Sequence, residues 1–366
     1  MHDRINWKSR LIGLVGPRGV GKTTLLLQHI VRSGESDSAL YVSADWFYFS
    51  SHRLTDLASE VSKLGLTKLY VDEIHRYPSW SQELKQIYDL YPELHVVFTG
   101  SSVLDIFRGS ADLSRRATMY TMQGLSFREY LAMVHDIIVP VVSMEEVLHH
   151  AVPAAMPLHP LPLFRQYLRE GYYPFALNGD YYQHLMQVLQ QTLEGDIPAY
   201  ADMSVSVARK LLQLMGIIAD SVPFKPNMTK LAQLIDTSRN YIADYLLYME
   251  RAGMIMQLRD DVHGVRGLGK VEKIYLDNTN LAYALQRQPD IGNMRETFFM
   301  NQARVAGEVT AAGAGDFLVS GKVFEVGGHG KQQRQIAGVK DAFVVKDDIE
   351  IGTHNIIPLW MFGLLY

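Results

Sequence analysis

Two short stretches of the chain combine residue types and spacings that suit the chemistry of phosphate groups. The first lies between a short apolar run and a segment with helical periodicity, and it fits the pattern G-x-x-x-x-G-K-[ST] of a phosphate-binding loop. Its residues, with the threonine that follows, are Gly16, Pro17, Arg18, Gly19, Val20, Gly21, Lys22, Thr23 and Thr24. A strand, a glycine-rich turn and a helix N-terminus together offer unpaired backbone donors and a partial positive charge to an anion. We therefore expect Lys22 to reach the β- and γ-phosphates of a nucleotide and the Thr23 hydroxyl to ligate Mg²⁺.

The second stretch, Leu69-Tyr70-Val71-Asp72-Glu73, is an apolar run that ends in two carboxylates. Downstream of a phosphate-binding loop, such a strand end supplies an acidic residue for the magnesium ion and a group that orients or activates the attacking water. We assign the first role to Asp72 and the second, that of the catalytic base, to Glu73. On its own the pair would also fit an ordinary solvated turn, but the loop upstream disfavours that interpretation. Together the two stretches predict a nucleoside-triphosphatase core.

Strands and helices alternate over the first part of the chain. The apolar runs that predict strands are residues 11–15, 40–43, 69–71 and 95–102. Their alternation with helical segments indicates a parallel α/β sheet, whose ligands bind at the C-terminal ends of the strands. Lys22, Asp72 and Thr99 fall at such ends. Either Thr99 or Ser101 is therefore a candidate to hydrogen-bond the γ-phosphate or the attacking water, while a local capping role explains both residues equally well.

Composition narrows the class of protein. The 366 residues are 48% hydrophobic and 20% charged, which is typical of a soluble globular protein of two or three domains. The formal net charge of -4 gives no overall basic field for nucleic acid, and the lack of cysteine excludes disulfides and cysteine-based zinc sites. Neither a signal peptide nor an apolar run of about 18 residues is recognisable. The sequence thus predicts a cytoplasmic protein without a membrane partner.

Two adjacent arginines, Arg115 and Arg116, follow the predicted core strands. One of them would suit an arginine finger, which neutralises charge in the transition state of phosphoryl transfer, in cis or in trans. On the residues alone, a solvated arginine pair is the favoured alternative. The pattern is then helical from residue 125 to about 201, apart from a proline-rich stretch at 152–162, and predicts a helical lid over the nucleotide.

The segment 206–273 has the pattern of a winged helix-turn-helix. Two amphipathic helices, 229–235 and 239–251, are joined by a turn rich in N-cap residues and followed by a hairpin with a glycine-rich tip. The start of the second helix would enter a DNA major groove, and the hairpin would approach phosphates. The residues concerned are Ser238, Arg239, Asn240 and Tyr241 on the helix, and Arg259, Arg266 and Lys270 on the hairpin. Residues 225–273 hold 8 Lys/Arg against 6 Asp/Glu, a balance of only +2, so DNA contact and a purely interdomain role stay equally open.

The final segment, 274–366, combines a predicted helix and a predicted hairpin. Glu296 lies near the start of the helix, and Asp316 and Glu325 lie on the two strands of the hairpin. Three such carboxylates could bind a divalent metal for phosphodiester hydrolysis, although carboxylates at strand starts are more often solvated hairpin residues. The apolar tail, 356–366, predicts a buried terminal strand.

The order of these motifs resembles the prokaryotic AAA+ ATPases of the archaeal-ATPase type, a STAND-like group. Besides the phosphate-binding loop, the stretches that carry the resemblance are Tyr70–Tyr77, Phe98–Ser102, Leu113–Arg116 and Gly124–Tyr130. The resemblance implies an AAA-like module joined to a winged helix and to a C-terminal PD-(D/E)XK-like domain. It also implies that ATP is the nucleotide, and the chain shows no Asn-Lys-x-Asp guanine signature. It further implies that one of Arg115 and Arg116 is finger-like.

In the C-terminal part, the resemblance places Asp316 and Glu325 on the motif carboxylates and Glu296 on the first helix. The motif lysine is expected two residues after Glu325, where this chain has Gly327. Lys331 would replace it only if the intervening loop folds back. This departure argues against nuclease activity and in favour of a binding module with the same fold.

We therefore expect an α/β protein: an AAA+-like P-loop NTPase sheet, a helical lid, a winged helix-turn-helix and an α+β restriction-endonuclease-like domain. The expected boundaries are 1–124, 125–205, 206–273 and 274–366. The expected activity is Mg²⁺-dependent ATP binding and hydrolysis by a switch protein of the AAA+/STAND type, acting on or near DNA. The alternatives are a nucleotide sensor that does not hydrolyse and an ATP-regulated nuclease. A finger arginine acting in trans would require a homo-oligomer.

Overall fold

The computed structural model describes residues 1–100, 113, 115–201, 203–260, 269–286, 288–331 and 333–366. The chain forms two compact units. One comprises Met1–Gly124 with Ala199–Met203, and the other comprises Leu125–Pro198 with Ser204–Tyr366. Among these described residues, no helix combines the length and the apolar composition that a membrane crossing requires.

A five-stranded sheet forms the centre of the first unit. The strands and helices are β1 (Leu11–Val15), α1 (Lys22–Ser33), β2 (Ala39–Ser43), α2 (Leu54–Lys63), β3 (Lys68–Asp72), α3 (Trp80–Leu90), β4 (His95–Gly100) and β5 (Thr118–Thr121). The strand order is β2-β3-β4-β1-β5, and every neighbouring pair is parallel. This confirms the parallel α/β sheet that the alternating pattern predicted.

Burial explains why these segments form a layered α/β unit. All five residues of β1 are buried, as expected for a parallel strand that is covered on both faces. The buried residues of α2 recur at helical spacing and pack in one cluster with β3 and β4; they are Leu54, Leu57, Ala58 and Val61. Because β3, β4 and β1 are neighbours in the sheet, the residues that follow these strands meet at one edge.

Helices dominate the next part of the chain, as its pattern predicted. They are α4 (Phe127–His135), α5 (Met144–Leu148), α6 (Leu161–Glu170), α7 (Tyr181–Gln190), α8 (Ile197–Ala201) and α9 (Val205–Ser221). A π-helical turn, Gln191–Asp196, connects α7 to α8. At the start of α4, Ser126 and Glu129 form a reciprocal capping box that satisfies two backbone donors.

Two further helices and a pair of strands follow: α10 (Met228–Leu234), α11 (Arg239–Arg251), β6 (Ile255–Arg259) and β7 (Val271–Leu276). The side chains of Ile242, Leu246 and Met249 are buried, as the spacing in α11 predicted. Strands β6 and β7 pair antiparallel, which confirms the predicted hairpin. Its tip, 261–268, which includes Arg266, lies outside the described residues.

A second five-stranded sheet lies in the C-terminal part. The elements are α12 (Thr279–Leu285), α13 (Ile291–Ala303), β8 (Val309–Ala311), β9 (Phe317–Val319), β10 (Lys322–Gly327), β11 (Ala342–Lys346) and β12 (Ile356–Pro358). The strand order is β12-β11-β10-β9-β8, with β9 and β10 paired antiparallel as the predicted hairpin. Strands β10, β11 and β12 run parallel to one another, so this sheet is mixed.

The apolar tail is buried but is not one strand. Only Ile356–Pro358 belongs to the sheet, and Leu359–Leu364 forms a 3-10 helix. Consecutive side chains of this helix, including Trp360, Met361 and Phe362, are all buried. A run that is buried on every side carries no period that separates a strand from a helix, which is why the predicted strand was wrong beyond its first three residues.

Aromatic side chains from distant segments share one core in the second unit. Phe127 and Tyr167, from α4 and α6, cluster with Phe298 and Phe299 of α13 and with Trp360 of the tail. The segment predicted as a lid therefore packs into the same core as the segment predicted as the C-terminal domain. Burial of these large rings is a strong stabilising contribution, of about 1.5–3 kcal/mol for each fully buried apolar side chain.

Candidate functional site

The loop between β1 and α1 has a shape that glycine alone permits. The φ angles of Gly19 and Gly21 are +84° and +96°, in the region that side chains rarely adopt. A Cβ atom on Gly16 would lie 2.3 Å from the carbonyl oxygen of Met122, so the loop packs directly on the backbone after β5. Gly21 is the N-cap of α1 and brings no side-chain acceptor to the helix start. The first N–H groups of this 12-residue helix are therefore suited to an anionic ligand.

Lys22 is the first residue of α1, and its side chain bends back over this loop. The residue is only 5% exposed, and its Nζ atom donates to the carbonyl oxygens of Gly16 and Pro17 at 2.8 Å each. These bonds hold the buried ammonium group above the glycine-rich turn. A phosphate bound by the loop would therefore meet a cation that is already in place.

Asp72, at the end of β3, is held by donors from both neighbouring strands. Its Oδ2 atom accepts from the Tyr41 hydroxyl of β2 at 2.9 Å, and its Oδ1 atom accepts from the Thr99 hydroxyl of β4 and from the Glu73 N–H. Burial, with the Asp72 carboxylate beside it, raises the pKa of Tyr41, so this hydroxyl keeps its proton and remains a donor. With Asp72 only 3% exposed, its carboxylate has one fixed orientation.

Thr99 is completely buried and contacts both predicted acidic residues. Besides its bond to Asp72, its Oγ1 atom accepts from the backbone N–H of Glu73 at 3.3 Å. These are local contacts within the sheet edge, and a contact of Thr99 to the nucleotide or the attacking water stays a prediction. Ser101, the other candidate, lies outside the described residues.

Glu73 has an unusual backbone conformation. Its φ angle is +50°, and it is the N-cap of a 3-10 helix, Ile74–Arg76. A positive φ costs a residue with a side chain roughly 1 kcal/mol or more, and such strain is often found at functional sites. The turn brings His75 back to the Glu73 carboxylate, with 3.5 Å between Nε2 and Oε2. Glu73 thus lies at the same sheet edge as Asp72 and the phosphate-binding loop.

The two arginines differ in their surroundings. Arg116 donates from Nε and Nη2 to both carboxylate oxygens of Asp89, at 2.9 and 3.0 Å. Its hydrogen bond lowers the pKa of Asp89. Arg115 is exposed and forms no hydrogen bond or ion pair within the described part of the chain. Arg116 is therefore committed to an intramolecular pair, while Arg115 is the cation that can reach another molecule.

The three carboxylates of the predicted second metal site have other partners. Glu296 accepts from the Tyr275 hydroxyl at 2.6 Å and from Lys273 Nζ at 3.0 Å. Asp316 accepts from the Val326 N–H, and its burial raises its pKa. In the described ranges, no three side chains of His, Cys, Asp or Glu are grouped closely enough to hold a metal ion. Lys273 Nζ also lies 3.7 Å from Asp316 Oδ1, so one lysine lies between two of the three carboxylates, and metal binding at this site stays a prediction.

Lys331 does fold back towards the hairpin. Its Nζ atom lies 2.5 Å from Oε1 of Glu325, a fully buried carboxylate. Burial opposes the charged form of Lys331, but the hydrogen bond to Glu325 and the charges of Glu325, Asp316 and Glu296 together raise its pKa. A Cβ atom at Gly327 would lie 2.6 Å from Cδ of Lys331, so the glycine leaves the space that the lysine stem fills. The loop therefore folds back, as it must for Lys331 to approach Glu325.

The proposed DNA-facing residues are only partly available. Arg239, Asn240 and Tyr241 are exposed at the start of α11. Arg259, however, donates from both terminal nitrogens to the Glu250 carboxylate, at 3.0 and 2.7 Å. This bidentate pair engages the guanidinium group that was predicted to contact phosphates. The sequence pattern did not show that the hairpin places Arg259 beside α11.

Comparison with known families gives two separate matches. Residues 8–131 match a model described as an AAA domain, and residues 161–291 match a model described as a domain of unknown function, DUF8612. The first unit thus has an AAA-like P-loop fold, which suggests nucleotide binding. Neither description names a winged helix or an endonuclease-like domain.

Individual relatives add little detail about function. A curated protein named "Uncharacterized protein MJ1637", from Methanocaldococcus jannaschii, is 27% identical over 273 residues, which are 69% of this chain and 57% of that protein. The chain therefore spans less than two thirds of the length of this relative.

Several solved structures are also similar to the chain. The Walker-type ATPase PABY2304 of Pyrococcus abyssi is 14% identical and has a TM-score of 0.41, covering 76% of this chain and 91% of that one. AMPPCP-bound DnaA from Aquifex aeolicus is 13% identical with a TM-score of 0.28, covering 68% and 84%. PCH-2 of C. elegans is 15% identical with a TM-score of 0.25, covering 67% and 64%. At these TM-scores the match over residues 8–131 remains the basis for the AAA-like assignment.

Proposed function

We propose that this chain is a Mg²⁺-dependent ATPase that works as a nucleotide-controlled switch of the AAA+/STAND type. The supporting observation is the shared sheet edge at which Lys22 follows β1 and the Asp72–Glu73 pair ends β3, with β4 between these strands and Asp72 held rigidly by Tyr41 and Thr99. Pre-set charged groups of this kind stabilise a transition state without reorganising during the reaction.

The residues present fit a magnesium–nucleotide complex. Gly16, Gly19 and Gly21 add no side chains to the loop, and Lys22 supplies the cation. Thr23 and Asp72 would hold Mg²⁺, since hydroxyl and carboxylate oxygens are ligands that this ion prefers. When bound, the ion would neutralise charge on the β- and γ-phosphates. The Thr24 N–H, at the start of α1, would add a donor to the phosphates.

Glu73 is proposed to orient the attacking water and to accept its proton. The carboxylate is partly exposed, at 24%, so a water molecule can reach it, while Asp72 beside it is buried and fixed. Arg115 is proposed as the finger-like arginine. Because it has no partner of its own among the described residues, it would act in trans, in a homo-oligomer.

Phosphate release tests this proposal against a sensor that binds ATP without hydrolysing it. The purified protein should release phosphate from ATP only with Mg²⁺, and Asp72→Asn should remove this metal dependence together with most of the activity. Tyr88→Phe, which removes a hydroxyl from the same unit that has no assigned role in the site, is a control that should leave turnover unchanged. Stoichiometric ATP binding without any phosphate release would establish the sensor instead.

An ATP-regulated nuclease is the second candidate, and the fold-back of Lys331 onto Glu325 favours it. The pair lies beside Asp316 in what we propose to be a PD-(D/E)XK-like domain with a displaced lysine. A cavity of about 680 Å³, lined by Phe224, Lys273 and Asp316 among others, gives access to this region. The carboxylates are not grouped for a metal ion, so we derive no catalytic step from them.

Cleavage of plasmid DNA in the presence of Mg²⁺ or Mn²⁺ decides this second candidate. Nuclease activity should be lost in Lys331→Met and kept in Lys322→Met, a control whose lysine pairs with Glu145. Uncut DNA under all conditions, with and without ATP, would leave the domain as a binding module.

We further propose that α10, α11 and the β6–β7 hairpin form a winged helix. Any DNA contact would rely on Arg239, Tyr241 and Lys270, because Arg259 is paired with Glu250. Two phosphate contacts would give a slope of roughly -1.8 in log affinity against log salt. Lys270→Ala, which removes a hairpin contact to phosphate, should reduce this slope by about 0.9. If DNA binding did not depend on salt, or if no DNA bound, the role of the proposed winged helix would be restricted to contacts within the protein.

A further inference from the structure

A histidine that the ATPase assignment does not use lies against the proposed catalytic base. His75 follows Glu73 by two residues, and its side chain is only 5% exposed. Its Nε2 atom is 3.5 Å from Oε2 of Glu73. Burial of a polar ring costs free energy unless a polar contact compensates it, and the Glu73 carboxylate offers such a contact to Nε2.

The backbone around Glu73 fixes this contact. The Glu73 N–H donates to Asp72 Oδ1 at 3.1 Å and to Thr99 Oγ1 at 3.3 Å, while its carbonyl accepts from the Arg76 N–H at 2.9 Å. With φ at +50°, the chain reverses immediately after the acidic pair. Because the backbone of Glu73 is anchored, only rotation about its side-chain torsions can move the carboxylate. His75 Nε2 lies next to Oε2 of this carboxylate.

We infer that His75 is a positioning residue for Glu73: it donates from Nε2 to the carboxylate and holds it where the attacking water must be oriented. This inference rests on the proposed hydrolysis. A distance of 3.5 Å is long for a hydrogen bond, but contacts to catalytic groups commonly tighten only when substrate is bound. His75 supplies none of the groups assigned to bind the phosphates or Mg²⁺, so it should act on turnover and leave ATP affinity unchanged.

Two substitutions separate the donor from the bulk of the side chain. His75→Gln places an amide donor near the position of Nε2, while His75→Leu fills the space without a donor. We expect kcat for ATP hydrolysis to fall by about 10-fold in His75→Leu, since misplacement of a catalytic group by about 1 Å can cost up to 100-fold. His75→Gln should retain kcat within about 3-fold, and KM for ATP should be unchanged in both.

A double substitution shows whether His75 acts through Glu73. In a Glu73→Gln background, His75→Leu should cause no additional loss, because the group that it positions has been replaced. A further loss in that background, an equal loss in His75→Gln, or a raised KM would overturn the inference and assign His75 a structural role. Normal turnover in His75→Leu would overturn this inference alone. No phosphate release by the unsubstituted protein would overturn both it and the proposed ATPase.

Discussion

Replacing Thr99 by valine removes one hydroxyl while keeping the shape of a completely buried side chain. The hydroxyl donates to Asp72 Oδ1 and accepts from the Glu73 N–H, so a single atom connects both acidic residues. A hydrogen bond to a charged group contributes about 1.5–3 kcal/mol to stability. Asp72 Oδ1 keeps the Glu73 N–H at 3.1 Å, so we expect a loss of about 2 kcal/mol.

Thermal unfolding measures this loss. Three of the four tryptophans, Trp7, Trp46 and Trp80, belong to the first unit, so intrinsic fluorescence reports mainly on it. For a unit of this size, a loss of about 2 kcal/mol corresponds to a lower Tm by about 8 °C. Because Asp72 also loses one of the three hydrogen bonds that fix its orientation, we expect kcat for ATP hydrolysis to fall by about 10-fold.

Thr99→Ser is the matched control. It retains the hydroxyl and loses a buried methyl group, which costs about 1 kcal/mol. It should therefore have a moderately lower Tm and nearly full turnover. If Thr99→Val kept full turnover, or if Thr99→Ser lost as much turnover as Thr99→Val, the hydroxyl would not organise the acidic pair.

Three further perturbations address other parts of the first unit. Lys22→Ala should weaken ATP binding at least 10-fold in a fluorescence titration, because it removes the buried cation above the loop; unchanged affinity would exclude the assigned site. Arg115→Ala should lower turnover and any ATP-dependent increase in molecular mass, while Arg116→Ala should change turnover little, since Arg116 already pairs with Asp89; the reverse pattern would exchange their roles. Burial lowers the pKa of His29, which stacks on Trp7, to about 4. As pH falls, His29 is protonated in the unfolded chain before it is protonated in the folded protein. The contribution of neutral His29 to the free energy of unfolding is therefore complete above pH 6.5 and is lost as pH falls from about 6.5 to about 4. His29→Phe should remove this part of the pH dependence of Tm, and an unchanged profile would contradict it.

Local sequence patterns predicted many of the strands, helices and motif positions of the first unit. The glycine spacing of Gly16–Thr23 and the apolar run before Asp72 placed the loop and the acidic pair on the correct elements. Each of these signals lies within a few residues, and the sheet only has to bring the strand ends together. The α11 core face and both hairpins followed from periodicity in the same way.

Contacts between distant residues were not predictable from such patterns. Tyr41 lies on a different strand from Asp72, and only the β2–β3 pairing makes its hydroxyl a partner. The pair of Arg259 with Glu250 depends on how the hairpin packs on α11. His75 could have been noticed from its position two residues after Glu73, but only the positive φ angle at Glu73 turns it towards the carboxylate.

The same limit applies to domain boundaries. The helical segment after residue 125 showed amphipathic patterns that did not identify the surface against which they pack. The structure buries Phe127 and Tyr167 against Phe298 and Trp360, in one core that joins the ends of the second unit. Sequence periodicity specifies which face of an element is buried, whereas its partner is determined by the chain topology.

Single-turnover hydrolysis by Glu73→Gln tests the central claim most directly. The substitution keeps the size of the side chain and removes its ability to accept a proton. With Mg²⁺ and limiting ATP, the account predicts that the variant binds ATP as tightly as the unsubstituted protein but releases phosphate at least 100-fold more slowly, the contribution expected of a general base. Equal rates of phosphate release in the two proteins would contradict the assignment of Glu73 and, with it, the proposed mechanism.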